Sequence, residues 1–313
     1  MGAGRGNPRS SNHNPVILRN KGPTAVPNAF TVDVEEYFQV EAFSDLIPKK
    51  DWHKFPSRVE ETTTRLLELL DRYHVRGTFF VLGWIARNHP ALVEKISKAG
   101  HEVASHGFDH SMITEMTPES FRQDIRKSKA IIENITGTTV AGYRAPTFSI
   151  LEKTSWAYKI LLDEGYAYSS SVFPIWHDRY GWPKFGNHPR RMDSNGNGEI
   201  WEVPMSVGTL GPFRIPFGGG GYLRFYPLSL TKALFRSRAR ERNPVVLYTH
   251  PWEIDTQHPP VPAPFFRRFR HHLGISKMER KLVALLEMAE FGTVGQYLEE
   301  VVQGETSLYQ KHA

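Results

Sequence analysis

The feature that most constrains this chain is an alternation of short apolar runs with longer amphipathic patterns between residues 29 and 171. Ala29 to Val34 reads as a strand, Val59 to Tyr73 as a helix, and Thr78 to Leu82 as a second strand. Pro90 starts the next helix and Gly100 stops it. Another strand leads into Ser105, and a helix from Pro118 to Asn134 follows, with Thr117 as its N-cap and Gly137 beyond its end. Val140 to Tyr143 reads as strand, Glu152 to Glu164 as helix ended by Gly165, and Ala167 to Ser171 as strand. Strands and helices alternating in this way predict a parallel sheet with crossover helices, either open or closed into a barrel.

The pattern loosens between Phe173 and Phe225, where Trp, Pro, Gly and Asn accumulate, so long loop or irregular β structure is expected there. Strand-like Glu199 to Val203 and Val245 to Thr249 return to the core. Ser276 to Glu290 is amphipathic, with Ser276 and Glu279 spaced as a capping box. Residues 1–27 lack periodicity and are rich in Gly, Pro, Asn and Arg, so they read as a disordered tail. Their start lacks the apolar core of a signal peptide, and Gly6 stands where a myristoylation signal has Ser or Thr. No apolar run approaches the ~20 residues of a spanning helix. The expected address is cytoplasmic, with peripheral contact at the inner face of the membrane left open.

Chemistry-bearing residues collect where apolar runs end: Asp33, His106, Arg144 and His250 each follow one. In a barrel such strand ends build the active site. The chain has 14 histidines and no cysteine, so a metal must sit on imidazole and carboxylate. His106 and His110 could close on one ion. The same spacing also arises between unrelated neighbours on a helix face. Net charge is +6, yet the basic residues are scattered apart from the stretch 265–272, Phe-Phe-Arg-Arg-Phe-Arg-His-His. That stretch reads as a solvated amphipathic segment or as a contact for an acidic glycan, a lipid head group or nucleic acid; no nucleic-acid partner is expected.

The run Gly218 to Gly221 lacks the Lys-Ser/Thr of a phosphate loop. It would instead let the backbone approach a sugar, with Phe217, Tyr222 and Trp252 either as stacking walls or as ordinary core. The lone histidines His74, His89, His101 and His177 read as surface residues.

Five segments occur in a telling order: Thr31-Val-Asp-Val-Glu-Glu36, Ser105-His-Gly-Phe-Asp-His110, Tyr143-Arg-Ala-Pro146, Asp163-Glu-Gly-Tyr166 with Tyr168-Ser-Ser-Ser171, and Leu247-Tyr-Thr-His250. Together they resemble the NodB-homology polysaccharide deacetylases, carbohydrate esterase family four, over roughly residues 28–255. Residues 216–222, His250-Pro-Trp-Glu253 and the segment 270–274 resemble the subfamily of exopolysaccharide loci that carry exosortase (PEP-CTERM) systems. The resemblance implies a distorted (β/α) barrel of seven or eight strands, TIM-like, with an irregular insertion. A C-terminal extension over 256–313 would pack on it.

The resemblance also implies roles. His106 and His110 would be metal ligands, and the ion would be divalent: zinc first, with cobalt, nickel or manganese as alternatives. The family sets two aspartates side by side after the first strand, but here Val34 follows Asp33. A family variant spaces the acids by one residue, which makes Asp33 the general base and Glu35 the third ligand. Both lie on one side of an extended chain. Glu36 is the alternative ligand. Arg144 would orient Asp33, the backbone N–H of Thr147 would face the oxyanion, and His250 would protonate the departing amine. Relatives often hold this histidine charged with an acid in the fourth motif, where this chain has Ser169 to Ser171. A basic limb of activity at lower pH is therefore expected, unless Glu253 or Asp163 supplies the missing charge.

The leading expectation is a metal-dependent N-deacetylase acting on N-acetylhexosamine units of an exopolysaccharide or its lipid-linked precursor. A small-amide hydrolase of the same barrel family and a catalytically inactive glycan-binding module are the alternatives.

Overall fold

The computed structural model describes residues 28–311 except 178, 194, 195, 197, 211, 212, 241 and 242. The tail expected over 1–27 lies outside the described residues. Eleven strands are described: β1 Asn28–Val34, β2 Thr78–Val81, β3 Glu102–Ser105, β4 Gly142–Tyr143, β5 Tyr168–Ser169, β6 Arg190–Asp193, β7 Glu199–Glu202, β8 Val207–Leu210, β9 Phe213–Pro216, β10 Val246–Thr249 and β11 Phe291–Gly292. The α-helices are α1 Val59–Arg72, α2 Gly83–Asn88, α3 Pro90–Lys98, α4 Pro118–Thr136, α5 Ala157–Asp163, α6 Gly220–Phe225, α7 Leu228–Arg240, α8 Phe265–His272, α9 Ile275–Leu286 and α10 Val294–Lys311. Among the described residues no helix is long and apolar enough to cross a membrane.

The main sheet runs β10-β1-β2-β3-β4-β5-β7-β6, parallel throughout except for β6, and β11 also pairs with β1. This is the expected distorted (β/α) barrel with seven parallel strands, curled but not closed by a ladder. The two-residue period of the strands gives the curled sheet two apolar faces. Phe30, Val32, Val34, Phe79, Val81 and Leu247 pack outward in one core with Leu66, Leu70, Phe121 and Ile125 of the helices. Ala29, Phe80, Ala104, Tyr168, Val246 and Tyr248 form a second core inside the curl.

Between β7 and β10 the chain itself fills the gap. Met205 N–H donates to Val172 O (2.8 Å), Tyr248 N–H donates to Gly218 O (2.7 Å), and Gly219 bridges to Tyr248. The glycine run therefore serves close backbone packing rather than an approach to sugar: a Cβ on Gly219 would lie 2.0 Å from Tyr248 O. Phe217 is fully buried in the outer core and cannot be a stacking wall.

The opposite end of the barrel has a floor. Val294, Tyr297 and Leu298 of α10 enter the inner core, Val294 N–H donates to Thr78 Oγ1 (2.8 Å) and Gly295 N–H to Glu102 Oε2 (3.2 Å). Thr78 and Glu102 begin their strands, so the C-terminal strand ends form the open side. Two local expectations are corrected. The capping box of Ser276 and Glu279 is absent, because α9 starts one turn position earlier behind Gly274 in a left-handed conformation (φ 80°). His101 is buried, with Nδ1 accepting from Gly77 N–H (3.1 Å), and burial pushes its imidazole down to about 4.

Replacing Gly219 by alanine forces the 218–219 backbone away from β10. We expect a loss of about 1–3 kcal/mol, as for other overpacked sites, read as a lower urea midpoint and a Tm reduced by several degrees; an unchanged midpoint would show that the gap is not closed by this contact.

Candidate active site

Strand register assembles the site. Val34, Val81, Ser105, Tyr143 and Ser169 are successive partners across β1 to β5. The next residues, Glu35, His106, Arg144 and Ser170, therefore share one level just above the ladder. On the other side of β1, Val32 pairs with Thr249, which brings Asp33 beside His250. Asp33, Glu35 and Thr31 all face inward because they alternate with the outward Val32 and Val34.

Arg144 is fully buried and stretches across the centre of the curl. Its Nη1 donates to Asp33 Oδ1 (2.7 Å) and to Thr31 Oγ1 (2.7 Å), its Nε to Ser170 O (2.9 Å) and its Nη2 to Ser170 Oγ (2.9 Å). The guanidinium lies 4.1 Å from the Phe80 ring centre. The serine triplet thus serves Arg144 and the backbone: Ser171 Oγ accepts from Ala145 N–H (2.8 Å). Ser171 and Val172 N–H in turn donate to Glu202 Oε1 (2.7 and 2.8 Å).

His106 and His110 meet through a loop and not along a helix face. Gly107 (φ 74°) and His110 (φ 59°) take left-handed conformations that fold the five residues back on themselves. Asp124 Oδ2 accepts from Phe108 N–H (2.9 Å), Ser128 Oγ donates to Gly107 O (2.9 Å), and Gly83 and Trp84 N–H hold Gly107 O and Phe108 O. Burial pushes the Asp124 carboxyl up to about 7.

Glu35, His106 and His110 each offer a ligand atom within 4.8 Å of the others. Their chemistry fits a divalent cation. His106 Nδ1 lies 2.9 Å from Arg144 O, a hydrogen bond that places the proton there and leaves the Nε2 lone pair free. Burial pushes His106 down to about 4, keeping it neutral. Glu35 Oε2 is buried without a well-aligned hydrogen bond although His110 Nε2 is 3.0 Å away. Burial alone would raise the Glu35 carboxyl, but His110, His250 and His106 outweigh it and hold it near 2, fully ionised. Glu36 points elsewhere: it accepts from Ser57 Oγ and from the N–H groups of Arg58 (3.1 Å) and Val59 (3.2 Å), capping the start of α1. It is not placed to be a ligand.

His250 turns Nε2 toward the acids, 3.6 Å from Glu35 Oε1 and 3.9 Å from Asp33 Oδ2, and Nδ1 toward Glu253 Oε2 at 3.3 Å. Burial would lower this imidazole, yet Glu35, Glu253 and Asp33 prevail and raise it to about 9. Glu253 stands where it can supply the charge that the serine triplet lacks, the alternative to a low limb. Asp163 does not, being paired with Arg122 and Lys159. Glu253 is itself fixed by Arg224 Nε (2.7 Å) and by Thr249 Oγ1 (3.1 Å).

Trp252 is buried between His250 (5.3 Å, 21°) and His271 (4.3 Å, 20°), and its Nε1–H donates to Glu35 Oε1 (3.3 Å). It orients the carboxylate and has no face to offer a sugar, which corrects its reading as a stacking wall. Tyr222 is half-buried, its hydroxyl 3.1 Å from that of Tyr180 and its ring against Phe173. Thr147 lies three residues beyond Arg144 in a left-handed turn (φ 55°) shared with Phe148 (φ 51°). Sequence reasoning gave no individual role to Thr31, Ser170, Asp124, Arg224 and His271; Thr31, Ser170 and His271 lie inside segments quoted above, but only the fold brings all five to the site.

The fold and site together define a (β/α) barrel with one acid and imidazole cluster at the C-terminal strand ends. Residues 50–165 match the family model described as polysaccharide deacetylase, and residues 170–299 match a domain of unknown function, DUF3473. A peptidoglycan deacetylase of Helicobacter pylori is 28% identical over 145 residues, covering 46% of this chain and 48% of that protein. A peptidoglycan-N-acetylglucosamine deacetylase of Bacillus cereus is 31% identical over 98 residues, covering 31% and 36%. The chain thus spans half or less of the length of these relatives. A crystal structure from Mycobacterium smegmatis, provisionally described as a polysaccharide deacetylase, superposes with a TM-score of 0.58 at 22% identity, covering 91% of this chain and 94% of that one, and shares the fold. Family model and relatives alike liken the matched segments of this chain to polysaccharide deacetylases.

Removing the charge behind His250 should move its titration. For Glu253→Gln we expect the basic limb of the pH-rate profile to fall by about one unit or more, since a neighbouring anion favours the imidazolium. His250 would then lose its proton at lower pH. A limb that stays in place would assign it to another group.

Proposed function

We propose that the chain is a metal-dependent N-deacetylase that hydrolyses the acetamide of N-acetylhexosamine units in an exopolysaccharide or its lipid-linked precursor. The observation that carries this reading is the convergence of Asp33, Glu35, His106, His110, Arg144 and His250 on one end of the barrel. The polysaccharide deacetylase match supports the reaction class, and the likeness of residues 216–222, 250–253 and 270–274 to the exosortase-associated subfamily supports the substrate. Residues 28–255 are read as the deacetylase domain, with 256–313 an extension of it, working in the cytoplasm.

Glu35, His106 and His110 would hold the ion, with zinc the first candidate and cobalt, nickel or manganese compatible with the same donors. When bound, a divalent ion would act as a Lewis acid toward the acetamide carbonyl and lower the pKa of water. The protein's own groups supply the proton transfers. Arg144 occupies Asp33 Oδ1 and leaves Oδ2 to take the proton of the water that attacks the carbonyl carbon. The Thr147 N–H is the candidate donor to the oxygen on which charge develops. His250 Nε2 gives its proton to the amine nitrogen as the C–N bond breaks, yielding acetate and a free amino sugar. Glu253 behind Nδ1 keeps that proton available.

Acetate release from a panel of N-acetylated glycans, before and after dialysis against a chelator, tests the reading; activity must vanish with the ion and return with it. Asp33→Asn should retain the metal and lose about 10²–10⁴-fold in kcat, whereas Glu35→Ala should lose the metal itself by elemental analysis. Release unaffected by Asp33→Asn would reject the assignment of the base.

A further inference from the structure

One surface of the chain is not used by the site. Helix α8, Phe265–His272, leaves three phenylalanines in solvent: Phe265 is 74% exposed, Phe266 71% and Phe269 52%. Phe265 and Phe269 sit one turn apart, their rings 6.3 Å from centre to centre. A contiguous aromatic patch of this kind is unfavourable in water and marks a contact surface. Nearby, Leu46 and Phe225 are further exposed apolar side chains, next to Asp45 and Arg224 on the segments against which α8 rests.

The charges around the patch identify what covers it. Arg267, Arg268, Arg270 and Lys277 lie within 256–278, a stretch with no acidic residue. Arg267 pairs with Asp45. Among the described residues Arg268 and Arg270 form no ion pair. A second copy of this chain would set arginine against arginine, so self-association is disfavoured by like charge. An anionic bilayer complements both features, taking the phenyl rings below its head groups and the guanidinium groups at their level. At eight residues the helix is far too short to span a membrane and suits a position in the interface.

We infer that α8 is a docking element for an anionic lipid surface. It is held rigidly for that task. His271 is buried against Phe43 (4.9 Å) and Trp252 (4.3 Å), and Arg224 Nη1 donates to His271 O and Leu273 O. Trp252 in turn bonds Glu35, so a membrane engaged by α8 lies two side chains away from the acid cluster. A lipid-carried substrate would meet the site without leaving the bilayer. The docking itself does not require the deacetylase reading, so each can fail alone.

The test is co-sedimentation of the full chain with vesicles of phosphatidylethanolamine and phosphatidylglycerol, and with vesicles of phosphatidylcholine alone. Binding is expected on the first, weak or none on the second, and it should fall as salt rises. F265S/F266S/F269S should weaken binding at least about tenfold, and R268Q/R270Q about tenfold on anionic vesicles only. Both sets of side chains are exposed, so thermal melting should be unchanged. Asp33→Asn should bind as the wild type does. Failure of the wild type to sediment with anionic vesicles would overturn the inference, as would undiminished binding by the triple serine variant. So would light scattering showing a dimer, or retention on single-stranded DNA, that is lost in that variant while vesicle binding is absent.

Discussion

The structure depends on one buried charge. Arg144 has no access to water, and an unpaired guanidinium there would cost several kcal/mol. It is accommodated only because Asp33 and Thr31 of β1 and both polar atoms of Ser170, just past β5, are aimed at it. Those partners belong to β1 and to the segment after β5, on opposite sides of the curl. Satisfying the arginine therefore ties β1 to the segment after β5, and with it the placement of Asp33 relative to Glu35, His106 and His110. Ser170 is explained by this duty.

A second chain of contacts runs from Arg224 through Glu253 and His250 to Glu35. It begins in the region matched by the domain of unknown function, which contributes His250, Glu253, Trp252 and His271. His106, His110 and Arg144 lie in the polysaccharide deacetylase segment, and Asp33 and Glu35 precede both. No one segment holds the whole site. The second region contributes the wall that keeps His250 protonated and Glu35 oriented.

Much of the fold was legible because burial imposes periodicity. The apolar runs at 29–34 and 78–82 and the helices at 59–73 and 118–134 need no tertiary information, and each was placed to within a few residues. The residues at strand ends were legible for the same reason, since a carboxylate after an apolar run has few places to go. The two acids separated by Val34 could be sorted only by direction: Glu35 continues the inward alternation, whereas Glu36 is turned away by the start of α1. Trp252 and the glycine run misled because an aromatic ring and a bare backbone look alike whether they meet a ligand or the rest of the protein. Glu253 was one of two candidates for the partner of His250, and only the tight turn at 250–253 decides for it over Asp163.

The gap between β7 and β10 has a mechanical consequence. Asp33 and His250 are joined by the continuous ladder of β1 and β10, which works as a ruler for their spacing. Tyr222 follows the glycine bridge, on the far side of the seam, where few backbone bonds tie it to that ladder. Displacement at the seam costs little compared with breaking strand pairs. The barrel thus spaces Asp33 and His250 by strand pairing, and holds Tyr222 by side-chain packing and a hydroxyl contact with Tyr180 beside the seam.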